Sequence, residues 1–217
     1  MIPAAWDALR YSDNGDTCVV IGNGPSLKDV PVDFLNKYPT FGSNRVYLLF
    51  HPTYYACVNP LVLEQFADEI AQIDYQAKFT RLGYGIPNSF PLQSLILPCF
   101  SREPWLGVYE GFTVTYVLLQ LAFFMGYKTV LLVGVDHRFE VSGSPNEQVV
   151  SQGADVNHFD PAYFGAGVKW NLPDLERSAR AYGMAKTVFD NAGRKIVNLT
   201  PNTALDVFEK GELKDYL

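Results

Sequence analysis

Residues 129–136, Thr-Val-Leu-Leu-Val-Gly-Val-Asp, decide the fold. The run Thr129–Val133 is apolar at successive positions rather than at alternate ones, so both faces of its strand must be covered, as in the middle of a parallel sheet. A glycine and then an acid follow at once. Upstream, Thr17–Ile21 (TCVVI) has the same character and runs into Gly22-Asn23-Gly24-Pro25-Ser26-Leu27. Strand character also marks residues 39–43, 54–58, 76–80 and 195–199. The Pro- and Gly-rich stretch 83–111 has room for one short strand near 95–97. Helical spacing fills the gaps: 26–37 with a break or restart at Pro31, then 61–73, the buried helix 112–125 closed by Gly126, and 173–191 stopped by Gly193. A short helix over 202–210 is expected to close the chain. Strands separated by helices predict βαβ units, and so an α/β, Rossmann-like, doubly wound and mostly parallel sheet with helices on both faces.

The chain has 217 residues, of which 48% are apolar and 14% aromatic. That is enough apolar surface for a core, and it excludes a disordered or fibrous chain. One domain over 1–217 is expected, with 1–16 as an N-terminal arm. The net charge is −6, from 17 Lys+Arg against 23 Asp+Glu, and no basic run occurs, which argues against a nucleic-acid partner. Cys18, Cys57 and Cys99 fit neither a disulfide framework nor a zinc site. The N-terminal residues lack a signal-peptide pattern, and the longest apolar run, 114–125, is broken by Gln120 and too short to span a bilayer. A cytoplasmic location is therefore expected. The 13 Tyr and 15 Phe leave room for a peripheral membrane contact, and a homo-oligomer remains open.

In such sheets ligands bind outside the carboxyl ends of the strands. Gly22-Asn23-Gly24-Pro25-Ser26, between a strand and a helix start, has the form of a phosphate cradle: glycines let backbone approach a ligand, and helix N–H groups favour an anion. The alternative is a tight strand-to-helix turn. Asn44 and Arg45 after the second strand can hold a ribose, base edge or phosphate. Asn59 can reach a ligand or cap the next helix. Thr113 and Thr115 begin the buried helix and can donate to a phosphate there or serve as plain cap residues. Gly134 and Asp136 follow the central strand, where an acid can bind a ribose hydroxyl or order the next loop. Residues 137–170 break the strand–helix rhythm and read as a lid loop. Within it His158 is a candidate general base, with Tyr163 positioned to hydrogen-bond a leaving phosphate. The bland alternative for His158 is an imidazole packed on aromatics. The three histidines show no metal-ligand spacing, so no metal residue is assigned.

VVIGNGPSL, SNRVY, YYACVNP, GYKTVLLVGVDH, NHFDPAYFG and KIVNLTPNT together resemble the MptE-like family (6-hydroxymethylpterin diphosphokinase-like), which is related to the bacterial sialyltransferases of glycosyltransferase family 42. The resemblance covers most of the chain. It implies a Rossmann-like sheet, with Asn23, Gly24, Ser26, Asn44 and Asn59 contacting a nucleotide sugar. It places Gly134–Asp136 near the nucleoside, His158 in the catalytic-base region and Tyr163 among phosphate-binding tyrosines. The chain lacks the sialyltransferases' longer C-terminal region and carries a rewritten lid, so sialic acid specificity is not implied. The expected function is a nucleotide-dependent transferase, a nucleotide-sugar glycosyltransferase of bacterial surface-polysaccharide assembly, acting on a small-molecule or glycan acceptor with no tightly bound cofactor. The alternatives are diphosphokinase-type transfer from ATP, with Mg²⁺, to an alcohol such as a pterin, and a non-catalytic nucleotide-binding module.

Overall fold

The elements run α1 (Ala4–Asp7), β1 (Thr17–Ile21), a 3-10 helix (Pro25–Asp29), α2 (Val32–Leu35), β2 (Thr40–Ser43), β3 (Tyr54–Cys57), α3 (Pro60–Gln72), β4 (Ala77–Arg81), β5 (Phe90–Leu92), β6 (Ser94–Leu95), β7 (Val108–Tyr109), α4 (Val114–Phe124), β8 (Thr129–Val133), β9 (Gln148–Val150), β10 (Lys169–Asn171), α5 (Leu175–Asn191), β11 (Lys195–Asn198) and β12 (Glu209–Lys210). They come from a computed structural model that describes residues 1–10 and 15–217. Residues 11–14 of the expected arm lie outside the described residues.

Among the described residues, eight strands form one sheet in the order β12-β11-β8-β1-β2-β3-β4-β5. Every pairing in it is parallel, so the fold is Rossmann-like α/β. The chain builds outward from β1 through β5 on one side and from β8 through β12 on the other. The order therefore reverses between β1 and β8, and a crevice opens at their carboxyl ends.

Successive strand residues point to opposite faces and feed two cores. Cys18, Val20, Val130 and Leu132 pack with α4 and α5 on one face. Val19, Ile21, Leu131 and Val133 pack on the other, with Leu27, Phe34, Val62 and Leu63. This is why β1 and β8 read as unbroken apolar runs. α4 is apolar all round because nearly all its residues are buried. α3 starts where Asn59 Oδ1 accepts the Leu61 N–H at 3.0 Å with Pro60 in the first turn. α5 starts where Asp174 accepts the Arg177 N–H at 3.0 Å.

Two expectations are corrected, the helix over 202–210 and the strand-free lid loop. The segment 202–210 is not a helix. Asn202 turns left-handed at φ 52°, Ala204 donates its N–H to Asp136 O at 2.9 Å, and Glu209–Lys210 pairs with β11. Tertiary partners thus take the backbone groups a helix would use. The break expected at Pro31 is there, and it divides the stretch 26–37 into the 3-10 helix and α2. In the described part of the N-terminal arm, Trp6 packs against Phe79, Phe90 and Phe124 with ring centroids 5.4, 5.1 and 5.8 Å away. The lid carries an antiparallel hairpin, β9–β10, which its irregular pattern hid. Among the described residues no helix is long and apolar enough to cross a membrane.

The β1–β8 seam continues past both strands. The Gly22 N–H donates to Val133 O at 2.8 Å and the Gly24 N–H to Gly134 O at 2.9 Å. A Cβ on Gly22 would lie 2.4 Å from Gly134 O. Gly134 itself is left-handed at φ 66° and would bring a Cβ to 2.6 Å from Gly22 O. Gly22→Ala is expected to destabilise the protein by about 1–3 kcal/mol through overpacking against backbone, whereas Gly183→Ala, in open space inside α5, is expected to be neutral or stabilising. Urea unfolding of both variants checks the order.

Candidate functional site

A cavity of about 300 Å³ occupies the crevice between β1 and β8. Gly22, Asn23 and Gly24 form one wall and Gly134, Val135 and Asp136 the next. Asn44, Asn59, Thr113 and Thr115 also line it, and the lid adds His158 and Tyr163. The structure thus brings together eleven of the fourteen candidate residues, while Pro25, Ser26 and Arg45 lie off the cavity.

The Gly22–Ser26 turn is not an open phosphate cradle. Asp136 fills it: Ser26 Oγ donates to Asp136 Oδ2 at 2.8 Å, and the Ser26 N–H faces Asp136 Oδ1 at 3.3 Å. The anion at this helix start is a carboxylate of the chain itself. Gly24 is glycine for the same reason, since a Cβ there would sit 2.0 Å from Asp136 Oδ2. What approaches the Gly24 backbone closely is the Asp136 carboxylate. Pro25 opens the 3-10 helix.

Arg45 is also corrected. It is buried, and its Nη1 donates to Ala162 O at 2.6 Å and to Tyr163 O at 2.5 Å. Its guanidinium lies 4.1 Å over the Phe66 ring. Arg45 therefore ties the lid to the sheet instead of holding a ligand. Asn44, left-handed at φ 51°, accepts the Tyr55 hydroxyl on its carbonyl at 2.6 Å. Asn23 donates to Ser43 Oγ at 3.1 Å, and its carbonyl accepts the Phe159 N–H at 3.1 Å. The Asn23 Oδ1 is buried with no hydrogen bond to the described residues.

The lid is docked rather than loose. Phe159, Tyr163, Phe164 and Trp170 belong to the core on that face of the sheet. His158 stacks on the Tyr163 ring with centroids 4.1 Å apart and 10° between planes. Its Nδ1 lies 2.7 Å from Asp155 Oδ2. Asp155 also accepts the Asn157 N–H at 2.8 Å and the Phe164 N–H at 3.0 Å. An ionised carboxylate only accepts, so Nδ1 carries a proton, and in the neutral ring the lone pair sits on Nε2. Nε2 makes no hydrogen bond to the described residues, and the ring lines the cavity. Asp155 gave no signal as a sequence position. An acid three residues before a histidine acquires meaning only once the loop folds back.

The Tyr163 hydroxyl does not fit the phosphate role. It is buried without a hydrogen-bond partner among the described residues, and burial pushes its acidity far down, raising the phenol well above its usual range. Its contribution here is the flat ring beneath His158. A second imidazole, His137, lines the cavity at φ 53°. Burial pushes its protonation below the usual range, with an opposing backbone contact to Leu175.

Among the described residues three α-helix starts face the cavity, and of these only one has no cap from its own N-cap side chain. Asn59 caps α3 and Asp174 caps α5, whereas Thr113 makes no capping bond and its hydroxyl lies 3.4 Å from Tyr182 Oη. Arg138 is the one Arg or Lys among the described cavity-lining residues, and its Nη2 makes a long hydrogen bond, 3.4 Å, to Asn202 O. Among the described residues no group of three or more His, Cys, Asp or Glu could hold a metal ion. No protein-family model matches the chain, and no curated protein matches it.

Burial raises the Asp155 carboxyl, but the hydrogen bond and charge of His158, with the two backbone N–H groups, outweigh it and hold it below its ordinary 3.8. A depressed carboxyl contributes stability above its unfolded value and loses it as pH falls through the folded one. Asp155→Asn is therefore expected to cost about 1.5–3 kcal/mol at pH 7, with the gap to wild type closing below about pH 4. Chemical denaturation at pH 7 and at pH 3 measures both ends, and a constant gap contradicts the assignment.

Proposed function

We propose that the chain is a nucleotide-dependent transferase that moves a sugar from a nucleotide sugar to an acceptor hydroxyl, in bacterial surface-polysaccharide assembly. The observation that carries this reading is the Asp155–His158 pair, whose free Nε2 faces a cavity at the sheet's reversal point. The resemblance to the MptE-like family points the same way.

In this reading the nucleotide sugar lies across the crevice. Its phosphate meets the uncapped start of α4 and the Arg138 guanidinium, both suited to an anion. The acceptor oxygen attacks the anomeric carbon while His158 Nε2 takes its proton. The bond from that carbon to the phosphate oxygen breaks, and the electron pair leaves with the nucleotide. Asp155 fixes the tautomer and steadies the imidazolium that forms. The Tyr163 ring and the Arg45 tether hold the imidazole in place, and the docked lid keeps water from competing with the acceptor. Cys18, Cys57 and Cys99 are free thiols, which suits the reducing cytoplasm where such donors are made.

The test is a thermal-shift panel of CMP, UDP, GDP and ATP and their sugar conjugates, with and without Mg²⁺. A true ligand at about 100 times its Kd should stabilise the fold by roughly 2.7 kcal/mol. Nucleotide release from the stabilising sugar conjugate then reports turnover. His158→Ala is expected to lower kcat by about 10²–10⁴-fold with Kd nearly unchanged. Full turnover in that variant removes the general base from the mechanism. Stabilisation by ATP alone, and only with Mg²⁺, favours diphosphate transfer instead.

A further inference from the structure

A second groove, of about 460 Å³, adjoins the main cavity and shares Glu110, Phe112 and Asn146 with it. It is built by the parallel pair β6–β7 and the end of β4. Its floor is polar. Arg81 and Ser94 both donate to Glu110 Oε1, while Oε2 makes no hydrogen bond to the described residues. Its side is aromatic: the Tyr109 and Phe112 rings meet edge to face at 6.5 Å. Phe112 is left-handed at φ 61°, a conformation that costs a bulky residue on the order of 1–3 kcal/mol. It stands between the two cavities with its ring partly in solvent. The rim is apolar. Ile96, at the groove, is 93% exposed, and the adjoining Leu97 is 77% and Leu106 65% exposed. Leu106 is brought beside β6 by the close fit of Gly107, where a Cβ would meet Leu95 Cδ2 at 2.8 Å.

We infer that this groove is the acceptor subsite, and that it takes an amphiphile with a hydroxyl-bearing, sugar-like head and a hydrocarbon tail. The inference rests on the transferase reading. The head lies on the Tyr109 and Phe112 rings and gives one hydroxyl to Glu110 Oε2, next to the opening into the main cavity. The tail runs out over Ile96, Leu97 and Leu106. Planar acids and aromatic rings are the side chains that match a sugar's hydroxyls and its apolar C–H face. Continuity with the cavity that holds His158 makes this a substrate site rather than an isolated patch. An anionic bilayer is a poor occupant, because the chain carries −6 net charge and the groove's arginine is already paired with Glu110. A second copy of the chain is a poor one too, since three side chains fall well short of the roughly 1,000 Å² that a stable interface needs.

The probe is n-octyl β-D-glucoside below its micelle concentration, titrated calorimetrically into the full chain. Saturable one-to-one binding is expected. Hexyl glucoside should bind about tenfold more weakly for its two missing methylenes, and glucose should give no measurable heat. The double variant Ile96→Asp, Leu97→Asp, exposed at both positions, should lose at least tenfold in affinity while keeping the wild-type nucleotide thermal shift. Glu110→Gln should weaken octyl glucoside and leave the tail-length dependence intact. No binding by wild type, or equal binding by the double variant, overturns the inference. So does wild-type co-flotation with phosphatidylcholine vesicles that the double variant loses, which marks a membrane contact. A dimer in sedimentation that the double variant dissociates overturns it as well. The failure of every nucleotide to stabilise the protein sinks the transferase reading by a separate measurement.

Discussion

The backbones of Gly22 and Gly134 touch at the carboxyl ends of β1 and β8, and the site depends on that contact. It lets the ladder run on to Gly24 and brings Asp136 under the Ser26 hydroxyl. The two chains then part in opposite directions across the sheet. A side chain at either glycine would push the strand ends apart and move both walls of the crevice. The acid that a reader of the sequence would offer to a ribose is already engaged in joining those walls. Asp136 thus already supplies an anion at that turn, whereas the start of α4 has no side-chain cap.

The lid is the second element on which the chemistry rests. A loop this long would ordinarily sit at the low-stability end of a fold. Here four of its aromatic residues are part of the core, and Arg45 grips its backbone from the sheet. The result is a histidine held on three sides: by Asp155 at Nδ1, by the Tyr163 ring against one face, and by the edges of Phe164 and Trp170. Two buried polar atoms with no hydrogen-bond partner among the described residues, Asn23 Oδ1 and the Tyr163 hydroxyl, lie in the same wall. Each costs on the order of 1–3 kcal/mol, so the molecule keeps this region at the expense of stability.

The two grooves are made by parts of the fold with different character. The first is made by the sheet's central strands, where every position is packed on both faces. The second is made at the far end, by short strands and by loops rich in proline and glycine. Phe112 joins them, at a backbone conformation that only the surrounding packing sustains. Gly111 beside it is equally constrained, with a Cβ there meeting the Tyr116 ring at 2.5 Å.

The sequence by itself determined the parallel sheet, the central strands β1 and β8, the helices α3, α4 and α5, and the gathering of Asn23, Asn44, Asn59 and Asp136 at one edge. Those follow from local patterns: unbroken apolar runs need two covered faces, and turns after parallel strands fall on one side. Only the tertiary structure decided what those residues touch. Asp136 meets Ser26 across 110 positions of sequence and Arg45 meets Tyr163 across 118. The strands β5, β7, β9, β10 and β12 are two or three residues long, too short for any period to show. The expected helix over 202–210 failed because partners far along the chain claim its backbone. Local chemistry sets which elements form, whereas charge pairs, ring stacks and capped ends are settled by distances that exist only after the chain has folded.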